Sequence, residues 1–122
     1  MSSSHQPIYW DTAAHVLADP GAPGAASTYS ITFPLGTTRF RIVNGHATHG
    51  AEIAGTLATI TAVSGSMPLP PNIEYTCAGH AIFIRNRNNG QAIPIAVIWE
   101  RIGRVPDNMN AGVATISSNL TP

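Results

Sequence analysis

The sequence has no lysine, and its six basic residues are all arginine. Six acids balance them, so the formal net charge is zero and charged residues make up only 10% of the chain, against about 25% in an average soluble protein. That excludes a nucleic-acid binder driven by bulk charge, which needs a basic excess to neutralise phosphates. A near-neutral chain also has little charge to oppose self-association, so much of its surface is expected to be covered. No run of eighteen apolar residues occurs, and no transmembrane helix is expected. The first residues, Met1 to Pro7, show neither a basic nor an apolar leader region, and no secretory signal is expected. With Cys77 as the single cysteine, no internal disulfide can form, which fits assembly in a reducing cytoplasm.

What is present is 43% hydrophobic residues in 122, enough for one domain with a modest core. Residues 1–27 are dominated by Gly, Pro, Ala and Ser, with the breaker Pro20-Gly21-Ala22-Pro23-Gly24. They read as an N-terminal arm, with Asp11 capping a helical turn from Thr12 to Ala18. Its apolar anchors are Ile8, Tyr9, Trp10, Val16 and Leu17.

From Thr28 the pattern becomes one of short strands. Tyr29, Ile31 and Phe33 share one face, and Phe40 and Ile42 alternate with Arg39 and Arg41, the period of two that marks a half-buried strand. Ile53 to Val63 reads as one strand, or two broken at Gly55. Met67 to Asn72 is too rich in proline for a central strand, and Ile73 to Cys77 is another short one. Ala81 to Ile102 reads as a hairpin around Asn88-Asn89-Gly90-Gln91, with Pro94 marking a bulge or an edge. Val113 to Ile116 is a last short strand. The expectation is an all-β fold, a small β-sandwich or jelly roll of about seven or eight strands over residues 28–118, with a polar tail at 119–122.

Candidate chemistry is sparse. His46, His49 and Glu52 lie within seven residues and His80 follows; imidazoles and a carboxylate suit zinc, iron or manganese. A jelly roll with such a set is similar to the cupins, metal-binding barrels. The cupin pattern has two histidines one residue apart, however, whereas two residues separate His46 from His49. On a strand that spacing turns the two side chains to opposite faces. The alternative is a glycine-bounded polar loop. Cys77 lies three residues from His80, without the arrangement a nucleophile needs. No Gly-x-Ser-x-Gly elbow and no phosphate loop occur. No catalytic, cofactor or metal site is therefore expected, and the chain is not expected to be an enzyme. Arg39, Arg41, Arg85 and Arg87 are candidate contacts in an oligomer or with a partner, because arginine forks pair with carboxylates and stack on aromatics.

The organisation of the whole chain resembles the capsid cement or decoration proteins of bacteriophages. The features are a small lysine-free β domain rich in Thr, Ala and Gly, an aromatic-bearing arm before it, a polar tail after it, and low charge. That resemblance implies a homo-oligomer, as a trimer, on the outer surface of a virion assembled in the host cytoplasm. It implies the major capsid protein as partner, with the arms stapling neighbouring capsid subunits, and no nucleic-acid or membrane partner. A receptor- or glycan-binding tip of a viral fibre is a third alternative, with ligand contacts at Tyr75 and the loop from Asn86 to Gln91.

Overall fold

The structure is a computed structural model that describes residues 8–62, 65–102 and 114–117. Nine strands and one short helix follow in order: β1 (Ile8–Leu17), β2 (Ser27–Thr32), β3 (Thr37–Asn44), β4 (Ala51–Ala54), α1 (Leu57–Thr61), β5 (Met67–Leu69), β6 (Glu74–Ala78), β7 (Ala81–Asn86), β8 (Ile93–Ile102) and β9 (Thr115–Ser117). They form a four-stranded sheet in the order β1-β8-β3-β6 and a five-stranded sheet in the order β5-β4-β7-β2-β9. The first strand pairs with the eighth, the second with the seventh, the third with the sixth and the fourth with the fifth, all antiparallel. A long hairpin rolled up into two facing sheets gives this pairing, so the fold is a jelly roll with β9 added beside β2.

The core lies between the two inner faces. Leu17, Phe40, Ile42, Ile95, Val97 and Trp99 come from one sheet and Tyr29, Ile31, Ile53, Ile82 and Ile84 from the other. Phe33 stacks on Phe40 with ring centroids 4.6 Å apart and tilts against Trp99 at 5.6 Å. The strands expected at 28–33 and 38–43 occur as β2 and β3, with the expected apolar faces turned inward.

Several expectations are corrected. Residues 8–17 are not an arm with a helical turn. They form β1, paired with β8 through ten consecutive residues. Exposure alternates along β1 and ends at Leu17, which is fully buried. Ala and Leu favour helix only weakly, and a full-length partner strand overrides that preference. Leu17 is thus a core residue and not a contact with another molecule. Residues 1–7 and the tail at 119–122 lie outside the described residues.

The segment 81–102 is not a hairpin. β7 pairs with β2 and β4 in one sheet, while β8 pairs with β1 and β3 in the other. The turn is where the sequence places it, with Gly90 at φ +85° and Gln91 N donating to Asn88 O. It carries the chain from one sheet to the other. Pro94 sits inside the sheet without disturbing it. Its carbonyl accepts from Gly45 N, so its nitrogen faces the β3 side, one residue past the last pair, Asn44 with Ile95. The reciprocal bond to Gly45 is the one that proline cannot make, and the β3–β8 ladder ends there. The stretch 53–63 is not one continuous strand either. β4 ends at Ala54, and Thr56 caps α1 by accepting from Thr59 N. The proline-rich strand β5 lies at a sheet edge, where proline is tolerated.

Candidate functional site

The antiparallel order puts the connections 18–26, 45–50, 70–73 and 87–92 at one end of the sandwich. The connections 33–36, 55–66 and 79–80 lie at the other. The candidate residues fall in three regions: the first loop end, the outer faces of the sheets, and the opening between the sheet edges.

The loop end is organised by two asparagines. Asn44 and Asn86 occupy the last inward positions of β3 and β7, and both are fully buried. Asn44 Nδ2 donates to His49 O and to Leu69 O, each at 3.0 Å, and its Oδ1 accepts from His46 N at 2.8 Å. Asn86 Nδ2 donates to Ala18 O at 3.1 Å and Gln91 O at 2.6 Å, while its Oδ1 accepts from Asn88 N at 2.9 Å. Asn88 Nδ2 reaches Gly50 O, and Gly90 N donates to Asp19 Oδ1. From the sequence, Asn44 was not a candidate residue and Asn86 was one only as the start of a ligand-contact loop. The available signal was the alternation 40, 42, 44 and 82, 84, 86, which carries an amide into the row of core positions.

The histidines do not converge. His46 Nδ1 accepts from the amides of Thr48 and His49, each at 3.0 Å. Its Nε2 lies 3.1 Å from Gln91 Oε1, so that nitrogen carries the proton. Both ring nitrogens are engaged in folding the loop. The His49 ring packs edge-on against His46 at 5.0 Å, and its Nδ1 lies 2.9 Å from Thr48 Oγ1. His80 is at the opposite end, where its carbonyl accepts from Phe33 N. Glu52 is turned away to the outer face of the five-stranded sheet. Among the described residues, no three His, Cys, Asp or Glu side chains gather as a metal site.

The four candidate arginines divide by sheet. Arg39 and Arg41 are on the outer face of the four-stranded sheet. Arg39 Nε pairs with Glu100 Oε2, and Arg41 lies 3.6 Å from Glu100 and 3.8 Å from Glu74. Arg85 faces outward from β7 but is only 4% exposed. Its Nε donates to Glu52 Oε1 at 2.6 Å and its Nη1 to the carbonyl of Ile60 in α1. Arg85 is therefore a buried tether for α1 and is not available to a partner. Arg87, nearly half exposed, lies 3.7 Å from the same carboxylate.

Cross-strand register defines what surrounds Arg39 and Arg41. Trp10, Glu100, Arg39 and Ala78 form one row of the outer face; Thr12, Ile98, Arg41 and Thr76 form the next; Ala14, Ala96, Val43 and Glu74 form the third. Val16 and Pro94 close it. Trp10 is 63% exposed and Val16 54%, so both remain candidate contacts. Ile8 and Tyr9 belong to β1, and their side chains are outside the described residues.

The two sheets part where β5 and β6 form facing edges. A cleft of about 300 Å³ opens there, lined by Ile53, Met67, Tyr75, Cys77 and Ile82 among others. Cys77 and Tyr75 are its only titratable groups among the described residues, and the thiol donates to Ala78 O at 3.2 Å. The cleft assembles no acid–base pair and no nucleophile with its base.

No protein-family model, curated protein or solved structure matches the chain.

Proposed function

We propose that this protein is a structural component of a virion, a capsid cement or decoration protein that self-associates on the outer capsid surface and bridges major capsid subunits. The observation that carries the reading is the outer face of the four-stranded sheet. Alanines, threonines, Val43, Ile98, Trp10 and Val16 cover it. Its two arginines are matched by two glutamates that pair with them. Such a face can be dehydrated against another protein without stranding a charge, which is the usual obstacle to burying charged surface. An exposed tryptophan at its margin supplies the kind of anchor that dominates interface energetics.

The jelly roll is an architecture of viral capsid domains, lectins and cupins alike. By itself it supports no single activity. The cupin-like reading loses support because His46 has no ring nitrogen to spare. The glycan-binding reading loses support because both polar ends of the Asn86 side chain, Asn88 Nδ2 and Gln91 Oε1 are engaged in the loop network. The attachment mechanism also changes from the sequence-based expectation. With residues 8–17 built into the sandwich, the sheet face takes over the contact role given to the arm.

The test is co-sedimentation of the purified chain with capsid shells assembled without it, followed by electron microscopy of the particles. Saturable binding on the outer surface, weakened by Trp10→Arg, is the expected result. Absence of binding by a folded wild-type chain would overturn the proposal.

A further inference from the structure

We infer that β1 is a self-association edge, on which a second copy of this chain adds its own β1 antiparallel about a two-fold axis at Ala13. The inference rests on the homo-oligomer reading above and names the surface used.

Four strand edges border the two sheets: β1, β6, β5 and β9. Sheet edges present unpaired amides and carbonyls, and proteins guard them with shortness, proline, bulges or charge. Three of these edges are guarded. β5 is three residues long and contains Pro68, β9 is three residues long, and β6 is five residues long with Glu74 at its start. β1 is different. It is ten residues long, contains no proline or glycine, and runs without a bulge against β8. Asp11 is its only acidic or basic residue apart from His15.

The direction of the free groups follows from β8. Pro94 O accepts from Gly45 N and Glu100 O from Thr38 Oγ1, so the even-numbered residues of β8 point their main chain toward β3. The odd ones, Ile95, Val97, Trp99 and Arg101, point toward β1. Their partners in β1 are His15, Ala13, Asp11 and Tyr9. In an antiparallel pair each residue turns its amide and carbonyl to the same side. The main-chain groups of Trp10, Thr12, Ala14 and Val16 therefore face outward along the edge, and no strand among the described residues pairs with them.

A second β1 placed antiparallel about Ala13 sets Thr12 opposite Ala14 and Trp10 opposite Val16, each pair exchanging two main-chain hydrogen bonds. On the outer face the same register brings Trp10 of one copy beside Val16 of the other, twice. These are two of the large apolar side chains the single chain leaves exposed. On the inner side it places Asp11 opposite His15, an acid facing an imidazole. Shifting the register by two residues either way loses both matches. The product is a continuous eight-stranded sheet whose outer face joins two copies of the surface proposed to contact the capsid.

Because the interface is isologous it closes at two copies. Sedimentation velocity on the full chain should give a dimer. Ala14→Pro removes an edge donor but no bond to β8, and should give a folded monomer with an unchanged far-UV spectrum. In a Cys77→Ser background, Ala13→Cys should form an intermolecular disulfide on mild oxidation, since directly opposed residues of this kind are about 4.5 Å apart at Cα. A wild-type monomer or trimer, a dimer that persists in folded Ala14→Pro, or a folded Ala13→Cys variant that stays uncrosslinked would overturn the inference. Should Ala14→Pro not fold, crosslinking of Ala13→Cys decides. Capsid binding by a wild-type chain that stays monomeric would sink this inference while leaving the capsid-contact part of the proposed function standing.

Discussion

The Arg85 guanidinium donates to the Glu52 carboxylate at 2.6 Å from a position almost closed to solvent. The same side chain reaches the Ile60 carbonyl, so one ion pair joins β4, β7 and α1. Removing the acid leaves a buried cation with only neutral acceptors. Glu52→Ala should cost about 2 kcal/mol, somewhat less than the roughly 3–5 kcal/mol of a fully buried pair, because Glu52 is partly exposed. Arg85→Met, which removes the charge and keeps the volume, should cost less than Glu52→Ala. Urea unfolding of both variants checks the order, and the reverse order would reject the assignment of Arg85 as a paired buried cation.

Asn86 works in both directions: its Nδ2 serves the carbonyls of Ala18 and Gln91, and its Oδ1 accepts from Asn88 N and Asn88 Nδ2. Asn86→Ala takes this donor from the Gln91 carbonyl, while the Ala18 carbonyl keeps Ser27 Oγ, and about 1–3 kcal/mol of stability should be lost. Asn86→Asp is the sharper probe. An ionised carboxylate only accepts, and here it would face two carbonyl oxygens. It should be at least as unstable as Asn86→Ala at neutral pH, measured by thermal unfolding. An Asp variant close to wild type would show that the donor role is not what matters.

Much of the fold was legible because Tyr29, Ile31, Phe33, Phe40 and Ile42 alternate strictly, and alternation reports a half-buried strand whatever its partner. Pairing is less legible. The turn chemistry of Asn88 to Gly90 is the same whether the flanking strands stay in one sheet or cross to the other, and here they cross. β1 was hidden because Asp, Ala and Leu are locally compatible with a helical turn, while its ten partners lie more than seventy residues away in β8. Arg85 alternates with the inward residues Ile82 and Ile84 as a solvent-facing residue would; only the position of α1 above it turns it into a buried one. Of the candidate contacts, Trp10, Val16, Arg39 and Arg41 were legible as residues. That register would gather them on one face was not.

Truncation separates an arm from a strand. Removing residues 2–7 leaves β1 whole, and the chain should fold with a melting temperature close to that of the full chain. Removing residues 2–20 takes away β1, the Leu17 core contact and the Ala18 carbonyl held by Asn86, and exposes the flank of β8. That variant should be recovered unfolded or aggregated, because a large buried aliphatic side chain alone is worth about 2–5 kcal/mol and total stability is of order 5–15 kcal/mol. A cooperative unfolding transition in the longer deletion would mean that β1 is dispensable to the sandwich.

The loop histidines make a testable distinction between a folded turn and a metal site. A ligating imidazole must offer a lone pair. At His46 the Nδ1 lone pair receives two amide protons, and Nε2 is a donor because it faces the side-chain oxygen Oε1 of Gln91. Zinc would have to displace one of these bonds and open the 45–50 loop. Added zinc should therefore leave the melting temperature unchanged, whereas a specific site filled at a hundredfold excess over its dissociation constant would add about 2.7 kcal/mol. His46→Ala should be destabilised by about 1–2 kcal/mol with or without zinc, since two amides lose their acceptor. A zinc-dependent rise in melting temperature that disappears in His46→Ala would instead place the histidines in a metal site and reopen the cupin-like reading.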